Sequence, residues 1–254
     1  MPTLENIFEA LDRFAPVALA ESWDNVGMLA GDPKREITRV LAALDITSDV
    51  INEAGVEGCE LIVSHHPLIS HPVLSVTAGG HEERLFRLLS CGMGAICMHT
   101  NLDTVSGGVN DCLAQTLGLR NIEAVCDVLP FLRMGEFEPL DFPAFLRHVK
   151  NSLGCDGLRF CGGGEVKRVA VGGGSCGDMW ERVLLAGCDT FVTSDVKYHD
   201  FLDIAEAGLN IIDAGHFPTE NPVVGVIAAA IREAYPSLEV LISKKHLDKV
   251  RFYF

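Results

Sequence analysis

The sequence has no apolar run long enough to cross a lipid bilayer. The longest candidate, residues 223–231, is interrupted by Gly225 and is much shorter than the roughly 20 residues that a membrane-spanning helix needs. The N-terminal segment, MPTLENIFEALDRFAP, lacks the basic start and the apolar stretch of a secretory signal peptide. It has the pattern of an amphipathic helix instead. We therefore expect a cytoplasmic protein that does not enter a membrane.

Basic residues are scarce. The 20 lysines and arginines are outnumbered by 35 aspartates and glutamates, which gives a net charge of −15. A surface of this sign repels phosphate groups at long range, so the composition argues against a nucleic-acid partner. The one short basic cluster, Lys244-Lys245-His246, has Asp248 close behind it and is predicted to be a solvated turn.

Paired cysteines are absent as well. The nine cysteines lie singly between Cys59 and Cys188, and none belongs to a C-x-x-C pair. An odd number of scattered cysteines with mostly apolar neighbours is typical of reduced, partly buried thiols rather than of a disulfide framework. We therefore predict no disulfide and no cysteine-ligated metal.

Strand-like apolar runs alternate with helical patterns along the chain, and no repeat or low-complexity tract interrupts them. This alternation predicts an α/β fold of stacked β-α units with largely parallel sheets. The main strands are predicted at 40–46, 60–64, 94–98, 131–137, 168–172, 190–193, 210–213 and 238–242. The best domain boundary lies near 125–129, which gives one α/β domain over 1–127 and a second over 128–254. The last helix and strand could pack back on the first domain.

Three separate segments carry metal-ligand residue types directly after a predicted strand. They read LIVSHHP at 61–67, CMHTNLD at 97–103 and IIDAGHFPTE at 211–220. In open α/β sheets, ligands gather outside the carboxyl ends of the strands, where the loops converge. A lone histidine would more often be a hydrogen-bonded core or loop residue, but the shared placement of the three segments predicts one metal cluster. Its ligands are predicted to be His65, His66, Asp103, His216 and Glu220.

The paired histidines favour two ions over one. Successive side chains leaving a strand point in opposite directions, and Pro67 biases His66 toward an extended backbone. Adjacent imidazoles held in this way chelate one ion poorly but can serve two neighbouring ions. Two close cations need anionic bridges, and Asp103 and Glu220 are the carboxylates in reach. This nitrogen and oxygen ligand set suits zinc, iron, manganese, cobalt or nickel, and the sequence does not choose among them.

Further residues are predicted to line the same pocket, because metal-bound histidines and carboxylates need outer partners. The residues predicted to face a substrate are Trp23, Asn25, Lys197, Tyr198 and His199. His99 lies four residues before Asp103 and is the first candidate for proton transfer in catalysis. Trp23 and its neighbours could form a rim for a planar ring, although such a tripeptide is more often a packing turn. The glycine-rich stretch 172–177 could cradle a phosphate, but an ordinary strand-to-helix turn is favoured.

Several motifs together carry a resemblance to a known family. They are ESWDNVG at 21–27, SHHP at 64–67, HTNLD at 99–103 followed by GGVND at 107–111, TSDVKYH at 193–199 and DAGH at 213–216. In this order and over nearly the whole chain, they resemble the NIF-three-like family of dinuclear-metal hexamers, whose members are often called type 2 GTP cyclohydrolase I. Ser194 stands where the family usually has glycine, which affects a turn and no ligand. The chain is of the short form, without the domain that longer members insert.

The resemblance implies two interlinked α/β domains per subunit, each of two or three layers, with the metal site between them. It also implies a toroidal homo-hexamer with two divalent metal ions per subunit, and the family's ligand positions match the five residues predicted above. The implied activity is that of a metal-dependent hydrolase of the type 2 GTP cyclohydrolase I kind, acting on a nucleotide or another small phosphorylated or amide substrate. The alternative is a hexameric metal-binding or regulatory protein without significant turnover.

Overall fold

The computed structural model describes residues 1–253, in which helices and strands alternate along most of the chain. In chain order the elements are α1 (Leu4–Phe14), β1 (Gly27–Ala30), β2 (Arg39–Ala43), α2 (Ser48–Glu57), β3 (Leu61–Ser64), α3 (Glu83–Ser90), β4 (Gly94–Cys97), α4 (Thr100–Thr104), α5 (Val109–Thr116), β5 (Arg120–Cys126), β6 (Leu129–Asp141), α6 (Phe142–Leu153), β7 (Arg159–Cys161), β8 (Glu165–Val171), α7 (Trp180–Leu185), β9 (Thr190–Thr193), α8 (Tyr198–Ala207), β10 (Asn210–Asp213), α9 (His216–Glu220), α10 (Val223–Ala234) and β11 (Glu239–Ile242). The α/β class is confirmed. Among these residues, no helix has both the length and the apolar character that a membrane span requires.

The chain divides into two compact units. The first comprises Met1–Val105 and Val223–Leu247, and the second comprises Ser106–Pro222 with the C-terminal residues from Asp248 onward. The predicted break between residues 127 and 128 falls inside a hairpin of the second unit, because β5 and β6 pair as antiparallel neighbours. The last helix and strand, α10 and β11, belong to the first unit, where β11 pairs with β2.

The first unit is built on a five-stranded sheet with the order β1-β4-β3-β2-β11. Four of its strands are parallel, and β1 runs antiparallel to β4 at one edge. The central strands are buried along their whole length, as their nearly continuous apolar sequences require. The amphipathic helix α1 packs closely on β4, since a Cβ at Gly94 would lie 2.2 Å from Leu4 Cδ1. The expectation of a largely parallel sheet describes this unit well.

The second unit contains a six-stranded sheet with the order β5-β6-β8-β9-β10-β7. Only β8, β9 and β10 run parallel to one another, while β6 pairs antiparallel with both β5 and β8, and β7 pairs antiparallel with β10. The expectation of largely parallel sheets is therefore wrong for this unit. The reason is local: the edge strand β5 is mostly exposed and polar, so no apolar run marks it in the sequence.

The parallel registers bring the predicted ligand segments to common sheet edges. In the first unit, Ala43, Ser64 and Cys97 stand side by side at the carboxyl ends of β2, β3 and β4. In the second unit, Thr193 and Asp213 are neighbours at the ends of β9 and β10. The loops that follow each group therefore start from one edge of its sheet.

The segment from His216 to Ala234 forms two helices rather than one. The short helix α9 ends at Glu220 and α10 begins at Val223, with Pro222 between them. Proline cannot donate a backbone hydrogen bond and clashes with the preceding turn, so a break at this position has a direct cause. His216 is the first residue of α9, and Glu220 is its last.

Candidate metal centre

Three histidines of the first unit converge after β3 and β4. His65, His66 and His99 each offer one ligand atom, and these atoms all lie within 4.8 Å of one another. Their ring centroids are 4.9 to 5.5 Å apart, with every pair of rings tilted or edge-on. His65 is fully buried, whereas His66 and His99 are partly exposed. We refer to these three residues as the triple-histidine cluster, which is a group that could hold a metal ion.

The three imidazoles are oriented by the same kind of hydrogen bond. Each uses Nδ1 to reach an oxygen of its own unit: His65 the carbonyl of Met98 at 2.9 Å, His66 the carboxylate of Asp45 at 2.8 Å, and His99 the carboxylate of Asp24 at 2.9 Å. Because carbonyl and carboxylate oxygens can only accept, each Nδ1 carries a hydrogen, and in the neutral ring Nε2 then carries the lone pair. This is the tautomer and the outer hydrogen bonding of metal-bound histidines.

Asp24 anchors the loop that holds His99. Its nearly buried carboxylate accepts hydrogen bonds from the backbone N–H and hydroxyl of Thr100, from the N–H of Asn25 and from His99 Nδ1. Burial alone would raise the pKa of Asp24, but the hydrogen bonds from Thr100 and His99 outweigh it and lower that pKa below its ordinary value. The pair therefore contains an ionised carboxylate whose oxygen orients the His99 ring.

The pKa of His99 is lowered, first by burial and then by the neighbouring His65, although Asp24 opposes both effects. His99 is therefore neutral at pH 7. A neutral imidazole can bind a metal ion through Nε2 or accept a proton there. The structure thus leaves His99 able to serve in either role.

Asp103 adds a carboxylate next to the triple-histidine cluster. Its Oδ1 lies 3.8 Å from His65 Nε2, which is beyond hydrogen-bond distance. Two ligand atoms that each lie about 2.0–2.2 Å from one ion are themselves roughly 3–4 Å apart. The separation between His65 and Asp103 therefore fits a shared divalent ion.

The second unit carries a similar arrangement on α9. His216 and Glu220 are one helical turn apart, and Nε2 of His216 lies 3.0 Å from Oε2 of Glu220. Nδ1 of His216 lies 2.5 Å from Oδ2 of Asp195, which follows β9. This imidazole too is held through Nδ1 by an oxygen and directs Nε2 at a carboxylate. We refer to these two residues as the His216–Glu220 pair.

Asp213 fixes the two loops that carry this arrangement. Its buried carboxylate accepts hydrogen bonds from the backbone N–H of Val196 at 3.0 Å and of Gly215 at 3.1 Å, and it also pairs with Arg159. Val196 follows Asp195, and Gly215 precedes His216. The contact between the histidine and its carboxylate partner therefore rests on one carboxylate at the end of β10.

The glycine-rich stretch at 172–177 leaves room for the Glu220 side chain. The backbone N–H of Gly173 donates to Asn110 Oδ1 at 2.7 Å, and that of Gly174 donates to Thr219 Oγ1 at 3.1 Å. A Cβ at Gly174 would lie 2.1 Å from Glu220 Oε1, and the φ of Gly174 is +68°. Only glycine fits this backbone conformation and leaves room for the carboxylate.

The residues predicted to face a substrate are exposed or partly exposed. Trp23 is 70% exposed, and its ring meets that of His99 edge-on with 6.2 Å between centroids. Asn25 uses its side-chain nitrogen to hold the carbonyl of Ile69 at 2.7 Å, so part of its role is structural. Lys197 precedes α8, and Tyr198 and His199 form its first turn, shortly after Asp195. Their roles toward a substrate stay predictions.

Sequence reasoning missed the carboxylates that orient the histidines. Asp45 and Asp195 each lie two residues beyond a buried strand, at Ala43 and Thr193 respectively. A search for acidic residues at that position would have found both. Asp24 follows no strand, and only the fold brings it to His99, 75 residues away in the chain.

Comparison with known proteins agrees with this architecture. The family model for Duf34/NIF3 (NGG1p interacting factor 3) matches residues 2–249. The chain belongs to this family. A protein of Clostridium perfringens named GTP cyclohydrolase 1 type 2 homolog is 35% identical, over 98% of this chain and 99% of that protein. A protein of Lactococcus lactis with the same name is also 35% identical, over 87% of this chain and 88% of that protein.

Solved structures show the same fold. A hypothetical protein of Staphylococcus aureus superposes with a TM-score of 0.93 at 30% identity and covers all of both chains. A Bacillus cereus protein related to NIF3 gives a TM-score of 0.93 at 22% identity over 99% of each chain, a likeness that supports the fold alone. The resemblance inferred from the motifs is therefore confirmed.

Proposed function

We propose that this chain is a metal-dependent hydrolase that holds two divalent ions on His65, His66, Asp103, His216 and Glu220. The observation that carries the proposal is the shared orientation of its histidines. His65, His66, His99 and His216 each place Nδ1 on a carbonyl or carboxylate oxygen, which directs Nε2 elsewhere. Histidines that only stabilise a fold have no reason to share this use of Nδ1, whereas metal-bound histidines do, because the outer hydrogen bond fixes the ring.

The donor set fits divalent ions of borderline softness. It consists of imidazole nitrogens and carboxylate oxygens, which suit zinc, iron, manganese, cobalt or nickel. Bound there, the ions would polarise an electrophilic group of the substrate and lower the pKa of a water molecule. The two carboxylates, Asp103 and Glu220, would supply the negative charge that neighbouring cations need.

His99 is the residue we assign to proton transfer. Its lowered pKa keeps it neutral, and Asp24 holds Nδ1–H so that Nε2 can accept a proton from an attacking water and return it to a leaving group. The ionised Asp24 would stabilise the imidazolium that forms in between. Because the ligand atom of His99 lies close to those of His65 and His66, direct metal ligation is the competing role.

A small planar substrate is the class that the surroundings favour. Trp23 offers an exposed aromatic face beside His99, and an indole ring is well suited to stack on a heteroaromatic ring. Relatives at 35% identity carry the name GTP cyclohydrolase 1 type 2 homolog, which points to a nucleotide. Other phosphorylated or amide substrates would use the same chemistry.

The test is a screen of metal-reconstituted protein. The protein is stripped with a chelator, reloaded separately with each of the five metals, and assayed against GTP, other nucleotides, phosphoesters and small amides. We expect turnover that chelation abolishes and that at least one metal restores. Absence of metal-dependent turnover with every substrate class would contradict the hydrolase and favour a metal-binding or regulatory protein.

Substitution of His99 separates its two roles. In His99→Gln we expect lower turnover with nearly normal metal content, because only proton transfer is removed. His81→Gln is the matched control, since the side chain of His81 is 97% exposed. Loss of metal in parallel with activity in His99→Gln would make this residue a ligand.

We further propose that the chain assembles as a homo-hexamer. The support for this proposal is the family resemblance given by the sequence motifs, which implies a toroidal hexamer. Light scattering should then give six times the 27.5 kDa mass of the chain. A stable monomer in dilute solution would contradict the ring and would leave the metal proposal intact.

A further inference from the structure

The carboxylate that orients His66 is itself held from its other side. Asp45 Oδ1 accepts from His66 Nδ1 at 2.8 Å, and Asp45 Oδ2 lies 3.0 Å from Nε2 of His246. His246 belongs to the segment after β11, far from Asp45 in the chain. Its side chain is only 6% exposed, so the basic cluster predicted to be a solvated turn contains one buried histidine.

A single hydrogen bond would not fix Asp45. Rotation about the last bond of an aspartate side chain is soft, and the side chain of Asp45 is 36% exposed, so water competes for its oxygens. A second donor on the opposite oxygen removes that freedom. The contact with His246 therefore limits rotation of the carboxylate whose other oxygen accepts from His66 Nδ1.

The segment that carries His246 is tied down at its start. Glu53, on α2, accepts hydrogen bonds from the hydroxyl of Ser243 and from the backbone N–H groups of Lys244 at 2.8 Å and Lys245 at 3.2 Å. The backbone N–H of His246 in turn donates to the Ser243 hydroxyl at 3.1 Å. These bonds place the imidazole against Asp45 even though the segment is neither helix nor strand.

We propose that His246 is a positioning residue that acts on His66 through Asp45 and so strengthens metal binding. The inference rests on the proposed role of His66 as a metal ligand. The segment after β11 contains none of the five proposed metal ligands, and this inference gives it a role in metal binding. Asp45 is the direct partner of His66, and His246 acts one step further out.

The first readout is zinc affinity, measured by chelator competition on the full chain. Loss of an outer hydrogen-bond partner costs about 10- to 100-fold in metal affinity, so we expect that range for Asp45→Ala and about three- to tenfold for His246→Ala. The double variant should bind zinc no more weakly than Asp45→Ala, because His246 acts only through Asp45. Independent, multiplying losses would overturn the proposal.

The second readout is the tautomer of His66 in the metal-free protein, observed by ¹⁵N NMR of the imidazole nitrogens. We expect the Nδ1–H form in the wild type and a mixture of both tautomers in His246→Ala. His246→Gln should restore the wild-type tautomer and affinity, because its side-chain amide can reach the same carboxylate oxygen. An unchanged tautomer together with unchanged zinc affinity in His246→Ala would overturn the proposal.

Two further variants separate positioning from general damage. His148→Ala is the matched control, since His148 is also partly buried and donates to a backbone carbonyl, that of Leu117, at 2.8 Å. It should leave zinc affinity unchanged. Glu53→Ala loosens the segment without altering His246 and should move both readouts in the same direction as His246→Ala, which covers the case in which that variant fails to fold. Neither readout needs turnover, so a chain without hydrolase activity would still test this inference.

Discussion

The two units build the same imidazole orientation in different surroundings. In the first unit, His65 is fully buried and the carboxylate of Asp24 is 2% exposed. In the second unit, the side chains of His216 and Asp195 are 41% and 50% exposed, and only Glu220 is buried. In both units the histidines proposed as ligands have an oxygen partner at Nδ1, so the hydrogen bonding is shared while the burial is not.

This difference separates stability from metal binding. A buried carboxylate that accepts several hydrogen bonds leaves its donors unsatisfied when it is removed, which costs folding free energy. An exposed ion pair contributes little to stability, because water and salt screen it. Removal of the exposed Asp195 from the second unit should therefore cost little folding free energy, whereas removal of the buried Asp24 from the first unit should cost more.

The largest expected effect is on the buried side of this comparison. Asp24→Ala should lower the free energy of unfolding by about 3 kcal/mol, because the N–H and hydroxyl of Thr100, the N–H of Asn25 and His99 Nδ1 lose their acceptor. Denaturant unfolding of the metal-free protein at pH 7 measures it. Asp195→Ala is the counterpart and should cost less than about 1 kcal/mol. Equal losses would remove the distinction between the two units.

A second substitution tests the buried part of the second unit. Gly174→Ala should destabilise the protein by about 2 kcal/mol and weaken metal binding, because the added Cβ meets the Glu220 carboxylate and the backbone has a positive φ. Gly154→Ala is the control, since Gly154 has a φ of +66° and nothing within 4 Å of an added Cβ. It should cost about 1 kcal/mol from backbone strain alone. Identical effects on zinc affinity in the two variants would contradict the role given to Gly174.

The exposed carboxylate should matter for metal rather than for folding. Asp195→Ala should weaken zinc binding about tenfold, since His216 loses the partner that fixes its ring. Chelator competition measures this affinity, and the unfolding experiment above provides the comparison in the same variant. An unchanged affinity would mean that Asp195 has no part in orienting His216.

The smallest expected effect is a pH dependence of the metal-free protein. The pKa of His99 is lowered from 6.5 by burial and by His65, so below about pH 6.5 the unfolded chain binds a proton that the folded chain resists. Stability should consequently rise as pH approaches 6.5 from below. His99→Gln should flatten this rise, whereas His81→Gln should not. The same slope in the wild type and in His99→Gln would contradict the assignment.

Much of the first unit could be predicted from sequence, because its central strands are continuous apolar runs and its ligand types follow them directly. The strands β3 and β4 lie within the predicted ranges 60–64 and 94–98. In the second unit, β9 and β10 match their predicted ranges as well. The hairpin strand β5 was not predicted at all, because its mostly exposed residues show no alternation of apolar and polar positions.

Two of the outer partners, Asp24 and His246, could not be read from local patterns. Asp24 contacts His99, which lies 75 residues further along the chain. His246, near the C-terminal end, contacts Asp45, which lies in the first quarter of the chain. Neither contact leaves a periodic signal, because each depends on where the fold brings two loops. The ligand residue types were predictable, and so were the positions of Asp45 and Asp195, whereas Asp24 and His246 depend on the tertiary fold.

The central proposal is that the imidazole Nε2 atoms of His65, His66 and His216 bind metal. Anomalous diffraction from crystals of zinc-loaded protein, recorded at the zinc absorption edge, tests it most directly. We expect two peaks per chain, within bonding distance of Nε2 of His65, His66 and His216 and of oxygens of Asp103 and Glu220. Absence of any peak beside these residues, or ions bound through other atoms, would contradict it.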